Sequence, residues 1–386
     1  MYIALLGRQP ELSIAELERR YHTVRWFSSD SAIIETDQHI DVQQLGGTQK
    51  LGRVIATLPL RDWRTTSMNI VQRYQKAWSN IDYKITLGIS AYGFHTTSRD
   101  IQKTGLTLKS KLKASGTSLR LVPNQEVALS TATSHHNKLG LSESKVELLV
   151  IKGRDSIILA ESIGSQNITA LAARDQGRPR RDAFVGMLPP KLALLMVNLA
   201  GLQPDATKRI LDPFCGTGVV LQESLLAGYS AYGTDLADKM ISYSDDNLKW
   251  LADNNELRGS WALHEGDAMT TAWEKPLDAV VAETYLGQPF SAPPSPAKLK
   301  EVQGNCNHII TSFLKNLHTQ LEPGTPVVLA VPAWRHTDDT FTHLPMVGSD
   351  TIAGFRRVSL STVRDEQLLY FRPDQVVARE ILILEA

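Results

Sequence analysis

The second half of this chain is predicted to be an α/β fold, a doubly wound, Rossmann-like sheet, with smaller α+β units in front of it. Three observations carry the prediction. Residues 211–218 read Leu-Asp-Pro-Phe-Cys-Gly-Thr-Gly, an apolar strand end running into a glycine turn that brings backbone close to a ligand. Seventeen residues past the last glycine stands Asp235, in Tyr-Gly-Thr-Asp-Leu, where a second parallel strand would present an acid to a ribose. From Lys191 onward, strand and helix patterns alternate.

The elements follow in order. Residues 2–7 read as a strand, and Ser13 with Glu16 has capping-box spacing for a helix running to Arg19 or Arg20. Residues 31–36 and 50–59 read as strands, with a short helix from Val42 to Leu45 between them. Further on come helix 68–79, strand 83–91, helix 97–115 and strands 118–122, 127–131, 146–152 and 157–164. His135-His136-Asn137 reads as a turn rather than a metal site, since no third ligand is near. Residues 172–190, rich in Arg, Gly and Pro, read as a linker. Helix 191–200, strand 210–211, helix 219–227, strand 229–233, helix 238–254, strand 261–268, strand 277–282, helix 308–321 and strand 326–332 then complete the alternation. The segments 367–371 and 376–384 pair as an antiparallel hairpin around Arg372-Pro373-Asp374-Gln375. Neither an internal repeat nor a low-complexity segment is evident.

Composition narrows the class. With 386 residues and 42% apolar content, two or three domains with real cores are expected. The two cysteines, Cys215 and Cys306, are too few for a zinc site or a disulfide framework, so no metal is expected and a reducing cytoplasm fits. The start has no basic n-region, and no run approaches the roughly 18 apolar residues of a membrane helix. Net charge is zero, but residues 76–190 carry 16 Lys/Arg against 9 Asp/Glu, while residues 191–386 carry 16 against 24. A basic middle suits a polyanionic partner; a solvated imbalance of no consequence is the alternative. Lys103, Lys109 and Lys113 on helix 97–115, and Arg178, Arg180 and Arg181 in the linker, are the candidate phosphate contacts.

The glycine turn speaks to the cofactor. A dinucleotide loop needs G-x-G-x-x-G, and here the third glycine is missing from Gly216-Thr217-Gly218-Val219-Val220-Leu221. Asp212 would also face a pyrophosphate unfavourably, whereas a carboxylate matches a sulfonium and an ammonium group. S-adenosylmethionine is favoured over NAD. Its expected contacts are Asp212, Phe214, Gly216 and Gly218, with Asp235-Leu236 at the ribose and Asp267-Ala268 at the adenine amine. Phe214 is equally suited to the core.

The fourth strand ends in Glu283-Thr284-Tyr285-Leu286-Gly287, the place for the acceptor chemistry. An exocyclic base amine is a poor nucleophile, and a carboxylate that accepts its N–H bonds holds it in line and relieves developing charge. An aromatic ring beside it stacks a flipped base. Glu283 and Tyr285 are the catalytic candidates; a structural carboxylate and a packing ring are the alternative.

On these residues the chain resembles the THUMP-containing tRNA guanine-N2 methyltransferases, archaeal and eukaryotic enzymes acting on guanine ten of the D-arm. Asp212-Pro213-Phe214-Cys215-Gly216-Thr217-Gly218 matches their motif without change. Gly186-Met187-Leu188-Pro189-Pro190-Lys191-Leu192-Ala193 with Met196-Val197-Asn198-Leu199-Ala200 is similar to their preceding helix. Leu5-Leu6-Gly7 with Pro10-Glu11-Leu12-Ser13 looks like their N-terminal unit. The resemblance implies a ferredoxin-like domain over 1–75, a THUMP-like RNA-binding domain over 76–165, a linker over 166–190 and a class I methyltransferase domain over 191–386. It also implies tRNA as substrate, guanine N2 as acceptor and, from the eukaryotic relatives, a small activating protein partner. One motif departs: the family's Asp-Pro-Pro-Tyr-Gly is here Glu283-Thr284-Tyr285-Leu286-Gly287, with a longer acid, no proline and the aromatic one residue early. A tRNA-binding protein that retains the fold without catalysis is therefore the second reading. The loop Pro289 to Lys300, with four prolines, is expected to be a substrate-facing flap.

Overall fold

Two patterns of apolar spacing, alternate along strands and three-to-four along helices, build two compact units in the computed structural model of this chain. The structure describes residues 1–182, 188–290, 292–338, 340–349 and 351–386. The middle of the predicted linker (residues 183–187), with Gly186 and Met187 of the resembling helix motif, lies outside the described residues, as does Ser291 of the expected flap.

The first unit comprises Met1–Pro10, Thr23–Gln43 and Thr48–Ala170. Its strands are β1 (Tyr2–Leu6), β2 (Val24–Ser28), β3 (Ser31–Ile34), β4 (Thr48–Pro59), β5 (Ile85–Tyr92), β6 (Leu119–Leu121), β7 (Lys145–Lys152) and β8 (Ser156–Ser165). The helices of this half of the chain are α1 (Pro10–Tyr21), α2 (Trp63–Ala77), α3 (Ser98–Ala114), α4 (Thr131–His136) and α5 (Ile168–Ala172). The strands form one sheet in the order β2-β3-β1-β4-β8-β7-β5-β6, so the long β4 pairs with β1 on one edge and β8 on the other. Strand β7 is buried on both faces: Val146, Leu148 and Val150 join the core under α2 and α3, and Leu149 and Ile151 join the opposite cluster. That double burial explains its near-continuous apolar sequence. On the same strand Glu147 is fully buried and paired with Lys50 at 2.5 Å, while Lys50 also donates to the Leu129 carbonyl and Ser90 to the Glu147 carboxylate.

Local chemistry moves some predicted boundaries. α2 starts at Trp63 because the Asp62 carboxylate caps it, accepting from the Thr65 amide at 2.9 Å. The predicted strand 127–131 is absent: Ser130 caps α4 through the Thr133 amide, and His135-His136 form the last turn of that helix.

The second unit comprises Glu11–His22, Gln44–Gly47 and Leu171–Ala386. It contains α6 (Pro190–Leu199), β9 (Arg209–Asp212), α7 (Val219–Leu226), β10 (Ser230–Asp235), α8 (Asp238–Asn254), β11 (Trp261–Glu265), β12 (Ala279–Glu283), α9 (Pro296–His318) and β13 (Pro326–Arg335). The short strands β14 (Phe341–Thr342), β15 (Thr351–Ile352), β16 (Phe355–Arg357) and β17 (Leu369–Tyr370) and the long β18 (Val377–Glu385) follow. The sheet runs β11-β10-β9-β12-β13-β18-β16-β15, parallel through β13 and antiparallel from β18 on. Chain order reverses between β9 and β12, which fixes the ligand crevice at the carboxyl ends of those strands. The predicted hairpin is present as β17 against β18. α9 begins at Pro296, capped by Ser295, so the end of the expected flap is helix and the loop before it is shorter than predicted.

The N-terminal helix is also part of this unit. Glu16 on α1 is fully buried; its carboxylate accepts from the amides of Gly46 (2.7 Å) and Gly47 (2.8 Å) and from Asn198 Nδ2 (2.6 Å) on α6. Burial pushes its pKa up, and these three donors oppose the shift. Gly46 has no space for a side chain, since a Cβ would meet the Lys191 carbonyl at 2.1 Å. α6, with nine of its ten residues buried, is apolar nearly all round because it is covered nearly all round, and its one buried polar side chain, Asn198, is the donor to Glu16.

Candidate active site

Strand β9 delivers Asp212 to the crevice, and the chain then turns sharply. Gly218 takes φ +81°, a left-handed conformation that ends the turn and opens α7, and a Cβ there would meet Ser244 Oγ at 2.9 Å. α8 holds this turn from behind. Ser244 Oγ donates to the Gly216 carbonyl at 2.8 Å, and Asn247 Nδ2 donates to the Thr217 carbonyl at 2.8 Å. The loop is thus preorganised by side chains of α8.

Three acids converge on one cavity of about 540 Å³, within the usual range for small-ligand sites. Asp212 is buried and accepts from the Phe214 amide at 3.1 Å. Burial, then the neighbouring Asp235 and Glu283 carboxylates, push its pKa well up from the ordinary range. Asp235, at the tip of β10, accepts from the Gly216 amide (2.9 Å) and the Ala237 amide (3.0 Å), which leaves a lone pair on each oxygen for a hydroxyl. Asp267 accepts from the Met269 amide through Oδ1 at 2.9 Å. Ala268 is buried in the wall, while Leu236 is exposed at the rim. Phe214 meets Phe313 of α9 edge-on at 5.0 Å, so it serves both core and cavity wall. All eight predicted cofactor contacts except Gly218 line this cavity; Gly218 shapes it through the turn.

The same cavity is bounded by Glu283 through Gly287. Thr284 is pinned at the strand end, its amide and hydroxyl both donating to the Ala330 carbonyl of β13 (3.0 and 3.1 Å). Tyr285 is 41% exposed, a ring available at the mouth. Gly287 takes φ +82° against Val302 and Cys306 of α9. Glu283 reaches the cavity and is also paired, through Oε1, with Nε of Arg379 on β18. Sequence reading missed Arg379, although the Arg379-Glu380 pair interrupting an apolar strand is a legible signal that a buried charge has a partner.

The linker arginines are not equivalent. Arg178 is only 3% exposed, so the expectation that it contacts phosphate is corrected: its guanidinium is inside the fold beside Glu223, which itself holds Arg174 at 2.6 Å. Arg180 pairs with Asp246 at 2.7 Å over the Tyr243 ring, and its backbone is tied to Asn247, the residue that holds the glycine turn. Arg181 is exposed. Lys103, Lys109 and Lys113 are all exposed on α3, outside the cavity; Lys113 stands in the last turn, where it also complements the helix dipole.

Residues 178–332 match the family model for the RMKL-like methyltransferase domain, UPF0020. A tRNA (guanine(10)-N2)-dimethyltransferase of Methanothermobacter thermautotrophicus is 32% identical over 160 residues, 41% of this chain and 43% of that protein. The tRNA (guanine(10)-N2)-dimethyltransferase of Pyrococcus abyssi is 44% identical over 63 residues, 16% of this chain and 18% of that protein. The matches thus span less than half the length of these curated relatives. Among solved structures, SMU.472 complexed with SAH aligns over 98% of this chain and 97% of its own, with a TM-score of 0.50 at 10% identity, a likeness of fold alone. By strand order and glycine turn, the C-terminal half of this chain has the class I, Rossmann-like methyltransferase fold, within which residues 178–332 match the RMKL-like methyltransferase family model.

Proposed function

We propose that this chain is an S-adenosylmethionine-dependent tRNA methyltransferase acting on the N2 amine of a guanine in the D-arm region. One observation carries the proposal: a single cavity is lined both by the glycine turn with its acids and by Glu283 and Tyr285. The residues fit the cofactor. Asp235 would take the ribose hydroxyls, Asp267 the adenine amine, and the acidic set around Asp212 suits a ligand with two cationic groups and no phosphate. When bound, S-adenosylmethionine supplies an electrophilic methyl group on a sulfonium.

The chain's own residues do the rest. Glu283 accepts an N–H of the exocyclic amine, aligns the nitrogen and relieves its positive charge as the new bond forms. Tyr285, exposed at the mouth, stacks the base that enters. The names of the curated relatives support tRNA as the substrate class. In the same reading, residues 1–75 and 76–165 are the ferredoxin-like and THUMP-like parts that grip the RNA through Lys103, Lys109 and Lys113. Residues 166–190 are the linker and 191–386 the catalytic domain, working in the cytoplasm.

The test is transfer of labelled methyl from S-adenosylmethionine to unmodified tRNA, double-stranded DNA and a protein acceptor in parallel. Label entering tRNA alone supports the reading; label entering DNA or protein instead overturns it. Activity of the purified chain without additions decides whether an activating partner is required.

A further inference from the structure

Glu283 has a long side chain, and a catalytic carboxylate free to rotate would seldom point at its substrate. It lines the cavity, yet only 15% of its side chain is exposed, because its other flank is covered by Arg379. Arg379 itself does not line the cavity and is 8% exposed. It stands on β18, opposite Pro332 of β13, and reaches over β13 to β12, where Glu283 lies opposite Ala330. Behind it is the Tyr370 ring of β17, directly across the ladder and 6.0 Å from the guanidinium carbon. The contact with Glu283 is one-point, Nε to Oε1, and no described group donates to Oε2. Three other carboxylates, Asp212, Asp235 and Asp267, share the cavity, and the charges of Asp235 and Glu283 are felt at Asp212, so a cation behind Glu283 balances a site that is otherwise acidic.

We propose that Arg379 is a positioning residue for the methyl acceptor: it fixes Oε1 of Glu283 and leaves Oε2 as the single oxygen presented to the amine. The inference rests on the reading of Glu283 as the acceptor-orienting acid. It accounts for how a longer acid works where no proline stiffens the loop, since the guanidinium supplies the restraint from a neighbouring strand.

The test is steady-state methyl transfer to tRNA by Arg379→Met, Arg379→Lys, Glu283→Gln and the double variant Arg379→Met with Glu283→Gln. Arg379→Met is expected to lower kcat by about 100-fold, with KM for cofactor and tRNA changed less than about twofold. Arg379→Lys, which keeps the charge, is expected to recover part of the loss. The double variant is expected to be no slower than Glu283→Gln alone. Unchanged kcat in Arg379→Met, or losses that multiply in the double variant and follow its melting temperature, would overturn the proposal. If the wild-type chain transfers methyl and only these results fail, the positioning role falls alone; if the wild type transfers none to tRNA, the proposed function falls first. Should Arg379→Met not fold, Arg379→Lys and its split between kcat and KM carry the same decision.

Discussion

Single residues here carry both chemistry and stability. Asp212 illustrates the first. Its carboxyl holds its proton to higher pH in the folded chain than in the unfolded one, so its contribution favours folding at low pH and is lost as pH rises through the folded pKa. A ligand bearing an ammonium group favours the charged form, so binding of S-adenosylhomocysteine is expected to release a proton below that pKa and to tighten as pH rises. Calorimetry in two buffers of different ionisation heat reads this directly, and the release should vanish in Asp212→Asn. Glu16 illustrates the second. Replacing it with Ala leaves the Gly46 and Gly47 amides and one N–H of Asn198, whose other bond goes to the Gln44 carbonyl, without their acceptor, a loss of about 4 kcal/mol by the usual cost of orphaned buried donors. Glu16→Gln keeps one acceptor oxygen and should lose about half as much in urea denaturation. Methyl transfer per folded molecule should be unchanged in both.

Among the elements, α3 offers the sharpest test of RNA contact. Lys109 and Lys113 lie one turn apart and exposed, so a Lys109→Glu, Lys113→Glu pair should weaken tRNA binding uniformly. It should also reduce the slope of log affinity against log salt by about 1 to 2, while a merely solvated face would leave the slope unchanged. The same scale shows what the sequence made legible. The βαβ around Asp212 and Asp235 could be read because glycine and acid positions are dictated by local backbone geometry. α8 was read to its last residue because its apolar spacing is regular. The strand predicted at 127–131 failed because Ser130 offered the chain a helix cap, and the start of α9 was hidden by prolines that suit a first helical turn as well as a loop. β2, β14 and β15 are short strands that pair with their neighbours in sequence, β3, β13 and β16, through tight turns that the reading missed, while β16 is held by the far strand β18, which no local window contains. The Arg379–Glu283 pair spans 96 positions and was invisible for the same reason.

At the scale of the molecule, the second unit is not one continuous stretch of chain. It takes in Glu11–His22 and Gln44–Gly47, which bring it the Glu16 network and the contact of Gly46 against α6. A fragment of residues 171–386 is therefore expected to expose one side of α6, bind hydrophobic dye and melt without a cooperative transition. Adding a peptide of residues 8–48 should restore part of the cooperativity; a fragment that melts as sharply as the whole chain would contradict this. Charge divides unevenly along the sequence too, with an excess of seven positive charges over 76–190 and of eight negative over 191–386. That division suits a chain whose middle meets a polyanion and whose cofactor domain meets a cation. The central claim is that the cavity between the glycine turn and Glu283 methylates guanine N2 in tRNA. Nucleoside mass spectrometry of unmodified tRNA, incubated with S-adenosylmethionine and either the wild-type chain or Glu283→Ala, tests it most directly. The account predicts N2-methylated guanosine from the wild type and at least about a 100-fold slower rate from the variant. A methyl group on any other nucleoside, or equal yields from both proteins, would contradict it.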